Sequence, residues 1–281
     1  MEKVILWDNE IEKSFFTSSE QQLSDFLELL QFIREEKITD YISTDTRDNP
    51  DLWNWLGSKN QVELNDIKKE LSIHIEKRKY VEIDELEEYK RQIGKMDKRK
   101  IMLLKFDDEN PYYFATTMGY YAALRKYLSS EKKDEFSKDL PECFPAICFW
   151  EGIDKTINTL NRKFEEIREE IVEHLTVLDG YQPKFLQMAE ENISYREMAE
   201  RFSSDTKIEC SPQSDRQDVK DLKITCINVI SEQEEQVICE LHTKFRKFNI
   251  DREKQDRIYF FPGKKGIMND RVIVKHIGKH L

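Results

Sequence analysis

No apolar run in the 281-residue chain approaches the roughly 18–20 residues that cross a bilayer, so a membrane-spanning helix is not expected. A secretory signal is not expected either: MEKVILWDNEIEKS places acidic residues straight after a short apolar run and offers no small-residue cleavage site. Cysteine is sparse. Cys143, Cys148, Cys210, Cys226 and Cys239 are scattered and none forms a CxxC pair. That excludes a disulfide framework and a zinc ribbon, and leaves reduced thiols in a cytoplasmic protein as the expectation. Positive charge is also short overall, with 45 Lys and Arg against 56 Asp and Glu, and a net of −11 disfavours indiscriminate binding to nucleic acid. No cofactor is expected.

What the chain has is charge of both signs, segregated. Charged residues make up 36% and hydrophobic residues 38%, the polar end of soluble globular proteins. The length suits one large domain or two modest ones. Residues 241–281 hold 11 Lys or Arg against 4 Asp or Glu, a net of +7, which leaves −18 on the other 240 residues. A basic, strand-like tail therefore follows an acidic, helix-rich body. Only this local reversal keeps a nucleic-acid partner in play.

Along the chain, Val4, Ile5, Leu6 and Trp7 read as a first buried strand ending at Asp8. A helix is predicted from the Ser18, Ser19, Glu20 cap to about Lys37, with Leu23, Phe26, Leu27, Leu30 and Ile33 at three- and four-residue steps. Next come a strand over 38–43, a helix over 62–77 and a charged connector over 81–100. Strands over 101–106 and 112–114 and a helix over 118–128 follow. The polar run 129–145, with Pro141 and Pro145, is the predicted boundary. Beyond it the pattern predicts a helix over 153–178, a stop at Gly180 and Pro183, and a second helix over 184–202, together a helical hairpin. A polar loop over 206–218 leads to four alternating segments, 222–230, 236–245, 256–261 and 271–279, predicted as an antiparallel sheet. The predicted fold class is α+β: an acidic mixed α/β domain over 1–140, then a helical hairpin and a basic four-stranded sheet over 141–281.

Alternation along strands assigns the faces of that sheet. Packing Leu241, Thr243, Phe245, Ile258 and Phe260 on the hairpin leaves His242, Lys244, Arg246, Arg257 and Tyr259 on a common exposed side. In the last strand Val272, Val274, His276 and His280 share one face, and Ile273, Lys275, Ile277 and Lys279 the other. Arginine stabilises charge on a transferring phosphoryl group, and His or Tyr moves protons without a metal. Arg257, His242, Tyr259 and His280 are therefore the candidate catalytic residues, with Lys244, Arg246 and Lys275 as candidate binding residues. The same groups can grip an RNA backbone or an acidic protein surface, or simply keep a sheet face solvated.

Asp8, closing the first strand ahead of a helix, resembles the start of a PIN-type nuclease, where clustered carboxylates hold Mg²⁺ or Mn²⁺. The resemblance implies Asp8 and Glu10 as metal ligands, with Asp40, Asp45 or Asp84 as later members. At the other end, three pieces stand in order: His242 to Phe245 (HTKF), Arg257 to Phe261 (RIYFF), and Val274 to Leu281 (VKHIGKHL). They resemble the H-x-K-[LF] … RI[YH]FF … IGxHL ending of an uncharacterised family of bacterial proteins of roughly this length, which implies an organisation but no activity. More loosely, the hairpin and sheet resemble the RelE/ParE/HigB toxin fold, whose RelE-like members cleave mRNA with basic and aromatic sheet residues. Arg257, Tyr259, Lys244 and His280 correspond by type. Those toxins are small and basic, whereas this chain is long and acidic, which favours a fixed partner. The functional expectation is an interaction component of a multi-protein defence or toxin–antitoxin-like system, with a protein partner and RNA as the alternative ligand of the basic sheet. The enzymatic alternatives are a metal-independent RelE-like ribonuclease and a PIN-like metal-dependent nuclease.

Overall fold

In the computed structural model, residues 2–95, 99–106, 109–213, 221–246 and 255–281 are described. Parts of the predicted 81–100 connector and of the 206–218 loop lie outside them. The chain forms two compact units, Met1–Ser130 and Glu131–Leu281. The division precedes the predicted boundary near 140 because the polar run read as a linker contains a helix, α8 (Lys133–Cys143), which buries Phe136, Leu140 and Cys143. Phe136 packs edge-on against Phe164, with ring centroids 5.0 Å apart, which ties this helix to the second unit.

In the first unit, β1 (Glu2–Trp7), β2 (Thr39–Ser43), β3 (Lys79–Val81), β4 (Arg99–Leu104) and β5 (Tyr113–Phe114) form one sheet in the order β3-β2-β1-β4-β5. Every pairing is parallel. Strand β1 is the centre, and Val4, Ile5, Leu6 and Trp7 are all buried, as a strand covered on both faces requires. Val4 and Leu6 join Ile101 and Leu103 beneath α6 (Ile83–Lys90), where Leu86 is buried. On the opposite face Trp7 meets Phe26 of α2 (Glu20–Glu35), which also contacts Phe15 and Phe106. Helix α2 begins in a capping box: Ser19 accepts from the Gln22 N–H while Gln22 Oε1 accepts from the Ser19 N–H at 2.9 Å. The chain builds outward from β1 through β2 and β3, then returns to the other side as β4 and β5. The strand order thus reverses between β1 and β4, and that crevice at the carboxyl ends is where open parallel sheets place ligands.

The second unit departs from the predicted four-stranded antiparallel sheet. Its main sheet has five strands in the order β6-β12-β11-β10-β7: β6 (Ile147–Phe149), β12 (Val272–Gly278), β11 (Arg257–Phe261), β10 (Leu241–Lys244) and β7 (Cys210–Pro212). The β6–β12 pairing is parallel and the others antiparallel. Strand β7 lies within what reads as a loop. The predicted first strand is instead half of a separate hairpin, β8 (Lys223–Asn228) with β9 (Gln233–Ile238). Cys239 and Glu240 interrupt the long alternating run 236–245: the Cys239 N–H returns to Leu222 O, and pairing with β11 starts only at Leu241. Burial explains the separation. Strand β8 buries alternate residues only, whereas β11 is buried at every position and so needs cover on both sides. The hairpin supplies part of that cover by packing Ile224, Cys226 and Val237 with Phe261 and Ile273.

Helix α10 (Phe164–Glu190) also corrects the sequence reading, since it runs through both Gly180 and Pro183. An interior proline costs a helix about 3 kcal/mol. Here one buried stripe of Leu178, Tyr181, Phe185 and Met188 carries the helix across. Phe185 stacks on Phe202 of α11 (Tyr195–Thr206) at 5.5 Å and reaches Phe260 of β11 at 5.6 Å. The helical hairpin is therefore α10 with α11. A short helix, α9 (Ile153–Ile157), closes the edge of β12 that β6 leaves open: Thr156 Oγ1 accepts from the Ile277 N–H and Thr159 Oγ1 from the Lys279 N–H. That approach requires Gly278, where a Cβ would stand 2.2 Å from Thr159 Oγ1.

Candidate functional site

The strongest site-like arrangement lies at the carboxyl edge of the parallel sheet in the first unit. Asp8 follows β1 directly, and its N–H donates to Leu104 O, which holds it at the β1–β4 crevice. Two ammonium groups approach its carboxylate: Lys90 Nζ at 3.6 Å and Lys105 Nζ at 3.8 Å. Lys90 comes from the end of α6 and is held by Asn9 Oδ1 at 2.7 Å and Glu87 Oε1 at 3.0 Å. Lys105 follows β4. From the next strand, Ser43 caps the turn after β2 by accepting the Thr46 N–H, and Thr46 Oγ1 donates to Asn9 O.

Glu12 lies in the first turn of α1 (Ile11–Thr17), within reach of the Asp8 charge. It is 6% exposed; Oε1 accepts from Asn49 Nδ2 at 3.2 Å, while Oε2 is buried without a partner. Burial pushes the Glu12 carboxyl up, and the charges of Glu10 and Asp8 add to the rise. Buried carboxylate oxygens are rarely left unbonded, so Glu12 Oε2 marks a place for a proton donor or a cation. The predicted member Glu10 is exposed and paired with Lys13, whose hydrogen bond holds its carboxyl low. Asp40 belongs to the packing instead. It sits within β2, 7% exposed, accepting from Trp7 Nε1 at 3.0 Å and paired with Arg78. Asp45 and Asp84 are exposed on α3 (Thr44–Arg47) and α6. Among the described residues, no three His, Cys, Asp or Glu side chains converge as a metal site. Asp8 and Glu12 are two hard oxygen donors, which fits Mg²⁺ or Mn²⁺ bound through few carboxylates and completed by water and substrate phosphate.

Glu12, Lys90 and Lys105 escape a reading of the sequence. Lys105 becomes visible once β4 is placed beside β1, because it is then the first residue past the neighbouring strand. Lys90 has no comparable local signal.

In the second unit, three of the five residues predicted to be exposed are buried, while Lys244 is half-buried and Arg246 is exposed as predicted. His242 is 2% exposed, Arg257 8% and Tyr259 0%. The register sets Ser211, His242, Tyr259 and His276 in one row across β7, β10, β11 and β12. His242 Nε2 stands 3.1 Å from both Ser211 Oγ and Arg257 Nη1, and the His242 and Tyr259 rings are 4.9 Å apart. Burial, then the neighbouring Arg257 charge, pulls the His242 pKa down to about 3, so the imidazole is neutral. His276 Nε2 lies 2.9 Å from Lys279 O. Lys244 and Arg246 are matched by acids, Glu209 at 2.6 Å and Glu173 at 3.2 Å. Lys275 lies over the Trp150 ring at 5.4 Å, and His280 is half-buried at the end of β12. The candidate catalytic residues Arg257, His242 and Tyr259 are thus brought together, but inside the protein; Arg246 and Lys275 are not part of that group.

Compared with known proteins, the chain matches no family model, no curated protein and no solved structure. No helix among the described residues is long and apolar enough to cross a membrane.

Proposed function

We propose that the first unit is a metal-assisted phosphodiesterase acting on nucleic acid, of the kind the PIN-type resemblance implies, with Asp8 and Glu12 as its working carboxylates. The observation that carries this reading is the place of Asp8. It follows the central strand of a parallel β3-β2-β1-β4-β5 sheet, between two lysines, and its charge reaches Glu12, a buried carboxylate with an unbonded oxygen. Lys90 and Lys105 attract and orient a phosphodiester as point charges. Asp8 and Glu12 would hold a divalent cation, which would polarise a phosphoryl oxygen and lower the pKa of attacking water. That none of the five cysteines forms a disulfide fits a reducing, cytoplasmic setting.

A cleavage assay on single-stranded RNA and on DNA, with Mg²⁺, Mn²⁺ or EDTA, tests the proposal. Metal-dependent cleavage that falls at least about a hundredfold in Asp8→Asn and in Glu12→Gln is expected, the scale of losing one preorganised charge. Wild-type protein that cleaves neither substrate in any of these conditions would refute it.

A specific observation also favours the reading as an interaction component. Ile227, Val229 and Ile230 at the β8–β9 turn are 65–66% exposed, an apolar cluster suited to a protein partner. Co-expression with the product of a neighbouring gene should then give a complex that Ile230→Glu dissociates; no complex in the wild type removes this reading.

A further inference from the structure

We propose that Arg257 and the Tyr259 hydroxyl form a binding site in the second unit for a phosphate-type oxyanion, separate from the carboxylate site of the first unit. Arg257 is a buried cation whose described contacts are neutral: His242 Nε2 at 3.1 Å and Tyr259 OH at 3.5 Å. Its Nε is fully buried and unpartnered, and no carboxylate among the described residues forms an ion pair with it. The neighbouring Asp256 is occupied elsewhere, accepting from the Asn161 and Arg162 backbone. Lys244 stands directly opposite Arg257 across β10 and β11 and offers it no counter-charge, being itself paired with Glu209. A buried charge without a counter-ion is strongly unfavourable, so the fold carries a cation that a ligand has still to match.

Hydrogen-bond accounting gives the same sign. Tyr259 OH receives the Leu281 N–H at 3.2 Å and lies near Arg257 Nη1, which leaves its own proton without an acceptor among the described residues. The His242 Nδ1 faces Glu240 O at 3.4 Å, so Nε2 is the acceptor, and its single lone pair is shared between Ser211 and Arg257. Donors therefore exceed acceptors along the row. A phosphate group supplies the missing charge and several lone pairs at once, and arginine matches it in a fork.

The test uses the full chain carrying Lys90→Ala and Lys105→Ala, so that the first unit's cations do not contribute. Inorganic phosphate, sulfate and a short single-stranded RNA without terminal phosphates are titrated by calorimetry. One saturable phosphate site is expected, weakened at least about tenfold by Arg257→Met and several-fold by Tyr259→Phe. Competition by the RNA assigns the phosphate to a nucleic-acid backbone; its absence assigns it to a small phosphoester. In phosphate-free buffer Arg257→Met should melt at a higher temperature than its parent, and phosphate should raise the parent's Tm alone. No saturable phosphate binding by the parent, or equal affinity in Arg257→Met, overturns the proposal. Should Arg257→Met not fold, Tyr259→Phe decides, because it keeps the ring; unchanged phosphate affinity there overturns the proposal equally.

Discussion

His174 offers a quantitative test of how the second unit is held together. It projects from α10 onto the helix-covered face of the sheet, 5% exposed, with Nδ1 2.9 Å from Thr243 Oγ1 and its ring 4.7 Å from Phe245. Burial first, then the charges of Arg246 and Arg162, lowers its pKa to about 3. The unfolded chain takes the proton near the ordinary histidine value of about 6.5, while the folded protein refuses it until near 3. Stability from this group is therefore complete above about pH 6.5 and is lost as pH falls from there towards 3. At pH 5 the unfolded state gains about 2 kcal/mol from protonating one such residue. The perturbation is His174→Gln, which keeps a polar group but cannot titrate. Urea unfolding of both proteins at pH 7.5 and pH 5 should show the variant losing about 2 kcal/mol less than wild type over that interval. Other titrating groups, including carboxyls such as Glu240 whose raised pKa acts in the opposite sense, cancel in the comparison. Equal losses in the two proteins would refute the burial argument.

Other substitutions probe the frame around each site. Gly278→Ala drives a Cβ into Thr159 Oγ1 and Thr156 O, so it should destabilise the second unit by about 1–3 kcal/mol, read from thermal melting. Asp40→Ala leaves Arg78, which is also bonded to Leu30 O, buried without its counter-charge; a loss of about 3–5 kcal/mol in the first unit is expected in urea unfolding. Ser19→Ala removes the capping box of α2 and should cost about 1 kcal/mol by the same measurement.

Much of the first unit is legible in the sequence because its signals are local. The run from Val4 to Trp7, the Ser19 cap and the three- and four-residue steps of α2 each specify an element without help from distant residues. Strand order is not local: nothing in the β1 or β4 segment says that the two are neighbours, and so Lys105 could not be associated with Asp8. In the second unit, alternation correctly separates Leu241, Thr243 and Phe245 from His242 and Lys244. It cannot say whether the polar side is wet. Tyr259 and Arg257 look like surface residues on composition, yet β11 is buried at every position: the hairpin of β8 and β9 packs on Phe261, and His242 and His276 flank Tyr259. Pro183 misleads for a related reason, since the aromatic packing of Tyr181 and Phe185 outweighs a local helix-breaking preference.

In the proposed phosphodiesterase, Asp8 works at the reacting phosphate while Lys90 helps to hold it there. Steady-state cleavage of an RNA substrate in Mg²⁺ by wild type, Asp8→Asn and Lys90→Ala measures this most directly. The account predicts that Asp8→Asn lowers kcat by at least about a hundredfold with little change in KM, and that Lys90→Ala acts mainly by raising KM. Cleavage by Asp8→Asn at the wild-type rate would contradict it.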